Sequence, residues 1–145
     1  MAERPAAPAR KLAVVACMDA RLDPAAVLGL DEGDAHVIRN AGGVITDDAI
    51  RSLAISQHLL GTEEIVLIHH TDCGMLKFTD DEFRSRMKEA TGEEPSWSPH
   101  AFESLEESVR ESIRRLEANP FVPRTESIRG FVYEVETGNL HEVER

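Results

Sequence analysis

Leu12-Ala-Val-Val-Ala-Cys-Met-Asp-Ala-Arg21 decides how the chain reads. Its first five residues are apolar without a break, and two are β-branched. A run this short and this uniformly apolar is a strand buried on both faces, the kind found in parallel sheets covered by helices. It stops at Cys17, so the strand delivers a thiol to the carboxyl edge of the sheet, where ligands bind in α/β folds. A carboxylate at Asp19 and a guanidinium at Arg21 follow at alternate positions.

Reading outward, Asp23-Pro24 is an N-cap followed by proline at the first helical position, and a short helix to about Leu30 is predicted. The acidic turn Asp31 to Asp34 leads into a second strand, His36 to Arg39. Asn40 to Gly43 is a glycine loop. Thr46 caps a helix whose first turn is acidic, which the helix dipole favours; it runs to Leu60 and ends at Gly61. Ala49, Ile50, Leu53, Ala54, Ile55, Leu59 and Leu60 cover more than one side, so the helix is expected to be largely buried. Ile65 to Ile68 is a third apolar strand, ending in His69-His70.

A helix is predicted over Asp80 to Ala90, a loop over Gly92 to Pro99, and a helix over His100 to Glu117. In the last of these, Phe102, Leu105, Val109, Ile113 and Leu116 form one apolar stripe, read as core or subunit interface. Asn119-Pro120 stops it. Ile128 to Val135 is a fourth strand, Thr137-Gly138-Asn139 a hairpin turn, and Leu140 to Val143 a short return strand. This order gives a single α/β domain: an open, mainly parallel β-sheet flanked by helices, with a C-terminal antiparallel hairpin strand. Residues 1–11, with two prolines and no periodicity, read as a flexible N-terminal arm, and 12–145 as the domain.

Sixteen basic and twenty-seven acidic residues give a net charge of −11. That excludes the basic patches needed for nucleic acid or anionic membrane surfaces. No apolar run approaches the roughly 20 residues of a membrane span, and the N-terminus has no signal-like apolar core. The expected compartment is the cytoplasm, where cysteines serve as metal ligands or free thiols rather than disulfides.

There are two cysteines. One is Cys17; the other closes His70-Thr71-Asp72-Cys73. Two thiolates and one imidazole, Cys17, His70 and Cys73, make a three-ligand zinc set with a fourth position open to water, whereas closed structural sites use four protein ligands. Two thiolates neutralise the ion's charge, so such a site acidifies its water less readily than three imidazoles, which bring that pKa to about 7. It gains from a fixed group that orients the bound hydroxide. Asp19 accepts that hydrogen bond, and Arg21 holds Asp19 ionised through a bidentate pair. Gly42 and Gly43 let the backbone approach a small substrate closely. A redox dithiol is disfavoured because the cysteines form no C-x-x-C pair.

These motifs, with Arg39-Asn40-Ala41-Gly42-Gly43 between them, closely resemble the β-class carbonic anhydrases, above all their short members, from about Leu12 to the C-terminus. The resemblance implies one Zn2+ per chain on Cys17, His70 and Cys73. It also implies reversible hydration of CO2 to bicarbonate and a proton, with Asp19 and Arg21 orienting the hydroxide that attacks carbon. Gly42 and Gly43 border the substrate. The family pattern further implies a homodimer or dimer-based assembly, its apolar pocket completed by the partner subunit; the arm is short for the usual N-terminal clasp. Some relatives hydrolyse carbonyl sulfide or carbon disulfide on the same site, and a non-catalytic zinc protein, with Asp19 as fourth ligand, is the alternative from another class.

The remaining polar residues read more plainly. His69 points away from His70 on a strand and is a packed or hydrogen-bonded neighbour rather than a proton shuttle. Asp72 reads as a cap for the next helix. Arg39 reads as pairing with an acidic neighbour. His36, His58, His100 and His141 read as surface residues, and Trp97 as a packing residue.

Overall fold

The computed structural model describes residues 6–145. Strands β1 (Leu12–Cys17), β2 (Ala35–Asn40), β3 (Glu64–His70), β4 (Ser127–Tyr133) and β5 (Leu140–Val143) form one sheet in the order β2-β1-β3-β4-β5. The first four strands are parallel, and β5 runs antiparallel to β4. From β1 the chain goes to one side to make β2 and then to the other to make β3. Strand order therefore reverses at the carboxyl end of β1, where a crevice opens in such sheets. Cys17 sits at that point.

Helices α1 (Pro24–Leu28), α2 (Asp47–Leu60), α3 (Asp80–Thr91) and α4 (Leu105–Glu117) flank the sheet, with single 3-10 turns at Ala41–Gly43 and Gly74–Leu76. On one face Ala13, Val15, Ile65, Leu67, Ile128 and Val132 pack against Ala49 and Leu53 of α2 and Val109, Ile113 and Leu116 of α4. On the other, Val14, Ala16 and Ile68 pack against Leu22, Met75 and the apolar residues of α1. Both faces of β1 are filled, which is why its sequence does not alternate.

The predicted caps are present. Asp23 accepts from the Ala26 N–H, Thr46 from the Ala49 N–H, and Gly61 closes α2 in the left-handed region. Four boundaries or faces differ from expectation. The first helix stops at Leu28, because Gly29 adopts φ 67°. The last begins at Leu105 rather than His100, because Ser104 accepts from the Glu107 N–H and His100 itself lies at φ 59°. β4 ends at Tyr133, where the chain turns. Finally, α2 is buried along one face only: Leu59 is 75% exposed and Ile55 38%.

Of the arm expected over residues 1–11, residues 1–5 lie outside the described residues. The Ala9 and Arg10 N–H groups donate to the carbonyls of Gly33 and Asp34. Among the described residues, no helix is long and apolar enough to cross a membrane.

Candidate functional site

β1 ends in Cys17 and β3 in His70, and the two strands pair in parallel with Ala16 opposite Ile68. Cys73 follows three residues later, just before the 3-10 turn. The two sulfurs and a ring nitrogen of His70 lie within 4.8 Å of one another, and all three residues are buried. His70 Nδ1 is 2.7 Å from the Thr71 carbonyl. A carbonyl only accepts, so Nδ1 carries the proton, and Nε2 is the nitrogen turned to the Cys17 sulfur at 3.1 Å. This is the usual way a metal-binding histidine is fixed in one tautomer.

The two thiols differ sharply. Hydrogen bonding from Cys73, and then from the imidazolium form of His70 (the neutral form, with its proton on Nδ1, has no Nε2–H to give) and from the backbone, holds Cys17 well below the ordinary thiol range despite its burial. The neighbouring Cys17 sulfur and burial push Cys73 well above the ordinary thiol range. One negative charge is thus shared by two buried sulfurs facing an oriented imidazole. The donor set fits a borderline-soft divalent ion such as zinc, which Cys17 and Cys73 would hold as thiolates together with His70, three protein ligands where a closed structural site uses four.

At the mouth of this cluster, Asp19 Oδ2 is 3.7 Å from His70 Nε2. Arg21 grips the carboxylate: Nη2 donates to Oδ2 at 2.8 Å, Nε to Oδ1 at 3.0 Å, and the Arg21 backbone N–H to Oδ1 at 2.8 Å. These hydrogen bonds hold Asp19 far below the usual carboxylate range. Arg21 also reaches Asp72, with Nη1 donating to Oδ2 at 3.0 Å and Nη2 to the backbone carbonyl at 3.1 Å. Lys77 Nζ lies 2.9 Å from Asp72 Oδ1. Asp72 therefore does not cap the following turn, which has no side-chain cap. It lies at φ 53° and belongs to a row Asp19–Arg21–Asp72–Lys77.

Arg39 also departs from its sequence reading. Its guanidinium takes backbone carbonyls instead of an acidic side chain: Cys17 at 2.7 and 3.1 Å, Asp19 at 2.9 Å and Leu22 at 2.7 Å. It thereby fixes the bend that carries Asp19 and Arg21. The Arg39-Asn40-Ala41-Gly42-Gly43 stretch was the available signal, but contacts to carbonyls leave no trace in residue pattern.

The glycine loop lies on the seam between β1 and β3. Gly42 (φ 86°) and Gly43 (φ 65°) both need the left-handed region. A Cβ on Gly43 would sit 2.7 Å from the Cys17 nitrogen and 3.0 Å from the Ile68 oxygen; one on Gly42 would meet Met75 and Phe102. His69 is fully buried on the opposite face from His70. It hydrogen-bonds the Gly43 carbonyl through Nε2 at 3.2 Å, stacks on Phe102 with centroids 5.4 Å apart, and is lowered to about 4 by burial. His36 is half-buried on Ser56 rather than at the surface, and His100 is half-buried too. His58 and His141 are exposed as expected. Trp97 is 59% exposed, its ring tilted against Phe83 with centroids 5.8 Å apart.

Comparison with known proteins gives a consistent result. The family model described as carbonic anhydrase matches residues 12–140. The β-carbonic anhydrase 1 of Mycobacterium tuberculosis is 60% identical over 139 residues, spanning 96% of this chain and 85% of that protein. A carbon disulfide hydrolase of Acidithiobacillus thiooxidans is 38% identical over 152 residues, spanning 90% and 76%. A crystal structure of a carbonic anhydrase from Streptococcus mutans matches with TM-score 0.94 and 47% identity, covering 99% of this chain and 87% of the other.

Proposed function

The chain belongs to the β-carbonic anhydrase family, and from that premise we propose that it catalyses the reversible hydration of CO2 to bicarbonate and a proton, using one zinc ion per chain on Cys17, His70 and Cys73. The observation that carries this reading is the joint geometry: three buried donor atoms within 4.8 Å of one another, with an ionised, doubly gripped carboxylate 3.7 Å from one of them.

Bound there, the ion supplies the Lewis acidity that makes water a nucleophile near neutral pH. The chain's own residues do the rest. The Thr71 carbonyl holds the His70 Nδ1 proton and so keeps Nε2 aimed at the cluster. Asp19 accepts a hydrogen bond from the attacking water and aims its lone pair. Its depressed pKa makes it an orienting acceptor and not a proton store. Arg21 occupies both oxygens of Asp19, which favours this role over that of a fourth metal ligand. The bare backbone of Gly42 and Gly43 borders the small, uncharged substrate.

The assembly is proposed to be a homodimer or a multiple of one. Met18, between Cys17 and Asp19, is 63% exposed, an apolar residue beside the site that a partner surface would cover. The second reading, hydrolysis of carbon disulfide or carbonyl sulfide, is favoured by the 38% identical hydrolase; the nearer identity to a carbonic anhydrase favours CO2. The experiment that separates them is a parallel assay of CO2 hydration and carbon disulfide hydrolysis on one zinc-loaded preparation. The proposal expects CO2 turnover to dominate, and carbon disulfide turnover with no CO2 hydration would replace it by the second reading.

A further inference from the structure

We propose that Asp72 is a positioning residue for the Asp19–Arg21 pair: its carboxylate and its backbone carbonyl together hold the outer edge of the Arg21 guanidinium, so that the inner edge stays on Asp19. The inference rests on the carbonic anhydrase reading above. Three observations carry it. First, the guanidinium is divided between two partners. Its Nε and Nη2 donate to the Asp19 carboxylate at 3.0 and 2.8 Å. Its Nη1 donates to Asp72 Oδ2 at 3.0 Å, and Nη2 also donates to the Asp72 carbonyl at 3.1 Å. Four of the five N–H groups of the side chain are thereby used, and turning the planar fork away from Asp19 breaks its bonds to Asp72 as well. Second, the turn alone does not ask for an aspartate. Asp72 stands at φ 53°, a region that costs a residue with a side chain and that glycine takes freely. Glycine would make the turn; what aspartate adds is an anionic acceptor for Arg21. Third, Asp72 is itself fixed. Lys77 Nζ lies 2.9 Å from its other oxygen, Oδ1. The preceding Thr71 is tied to the chain at the end of β4: its N–H donates to the Tyr133 carbonyl at 2.9 Å, and its hydroxyl accepts from the Val135 N–H at 3.0 Å.

The consequence is geometric. The Arg21 side chain is 47% exposed, and an ion pair that open adds little to stability. A second anchor, from a segment 51 positions away, instead removes rotamer freedom from a long side chain whose direction sets that of Asp19. The same turn gives its Thr71 carbonyl to His70 Nδ1 and its Asp72 carbonyl to Arg21 Nη2. One peptide turn therefore sets the histidine and the guanidinium in a single frame. Asp72 acts through Arg21 and not on the reacting atoms.

The test compares full-length, zinc-loaded wild type with Asp72→Gly and Asp72→Asn. Both substitutions accept the left-handed turn; glycine removes the carboxylate, and asparagine returns one oxygen to its place. In Asp72→Gly, kcat for CO2 hydration should fall about tenfold, the lower end of what partners outside the ligand set contribute, with zinc content unchanged. Asp72→Asn should recover most of the loss. The effect should vanish in an Arg21→Ala background, because Asp72 acts through Arg21 alone. A loss that persists in that background, or an undiminished kcat in Asp72→Gly itself, would overturn the proposal. NMR of the guanidinium gives a readout independent of turnover. In wild type the Arg21 Nη1 protons should give separate, slowly rotating signals. In Asp72→Gly they should merge, and the Nε proton should exchange faster with water; unchanged guanidinium signals in that variant would equally overturn the proposal. A zinc-loaded wild type without CO2 hydration would instead sink the reaction reading, and the guanidinium signals would still decide the role of Asp72.

Discussion

At the scale of single residues, Asp19 is the most exposed to test. Asp19→Asn keeps shape but loses the charge that Arg21 grips. It should retain one zinc per chain and lose about 10- to 100-fold in CO2 hydration, the usual cost of disturbing a group that orients a metal site; zinc analysis beside kcat checks both halves. Arg21→Lys should resemble it, since an ammonium cannot supply the fork seen on Oδ1 and Oδ2. The Asp19 carboxyl is depressed chiefly by its hydrogen bonds from Arg21. A depressed carboxyl stabilises the folded state above its unfolded pKa and loses that contribution as pH falls below it. In zinc-free protein, then, the stability difference between wild type and Asp19→Asn should narrow as pH drops below about 4, and denaturant midpoints across that range measure it. Cys17, His70, Cys73, Asp19 and Arg21 could be picked from sequence because strand ends and offsets bring particular residue types together. Arg39 and Asp72 could not. Their partners are backbone carbonyls and a guanidinium 51 positions away, and neither relation has a local pattern.

At the scale of elements, two glycines make opposite predictions. Gly43→Ala places a methyl 2.7 Å from the Cys17 nitrogen, against rigid backbone and at φ 65°. It should force β1 from the glycine loop and weaken zinc binding as well as folding. Gly130→Ala, on β4, places its methyl 2.2 Å from Val109 Cγ1 of α4. It should cost about 1–3 kcal/mol through overpacking while zinc content in the folded fraction stays unchanged; thermal melts with metal analysis distinguish the two. The strands were legible from their apolar runs, and α2 from its caps. The exposed Ile55 and Leu59 on α2 were not, because apolar count does not say which side another element covers. The start of α4 was misread because Phe102 extends the apolar stripe backwards, although it packs over the glycine loop and not along the helix.

At the scale of the whole molecule, the reversal of strand order at β1 turns a list of motifs into a site: it sets Cys17 beside His70 and Cys73 at one crevice. The alternation of strands and helices made the sheet predictable, whereas the proposed covering of the crevice by a second chain would be a property of surfaces, which strand and helix patterns do not encode. Sedimentation should show a dimer or a multiple of it, and a fully active monomer would contradict the shared pocket. Removing zinc should lower the melting temperature, because an ion that binds only the folded state stabilises it by mass action. The most direct measurement is stopped-flow CO2 hydration on zinc-free protein titrated with zinc. The account predicts activity that rises linearly and saturates at one zinc per chain, and is absent in Cys73→Ser. Full activity without zinc, or none at one bound zinc per chain, would contradict it.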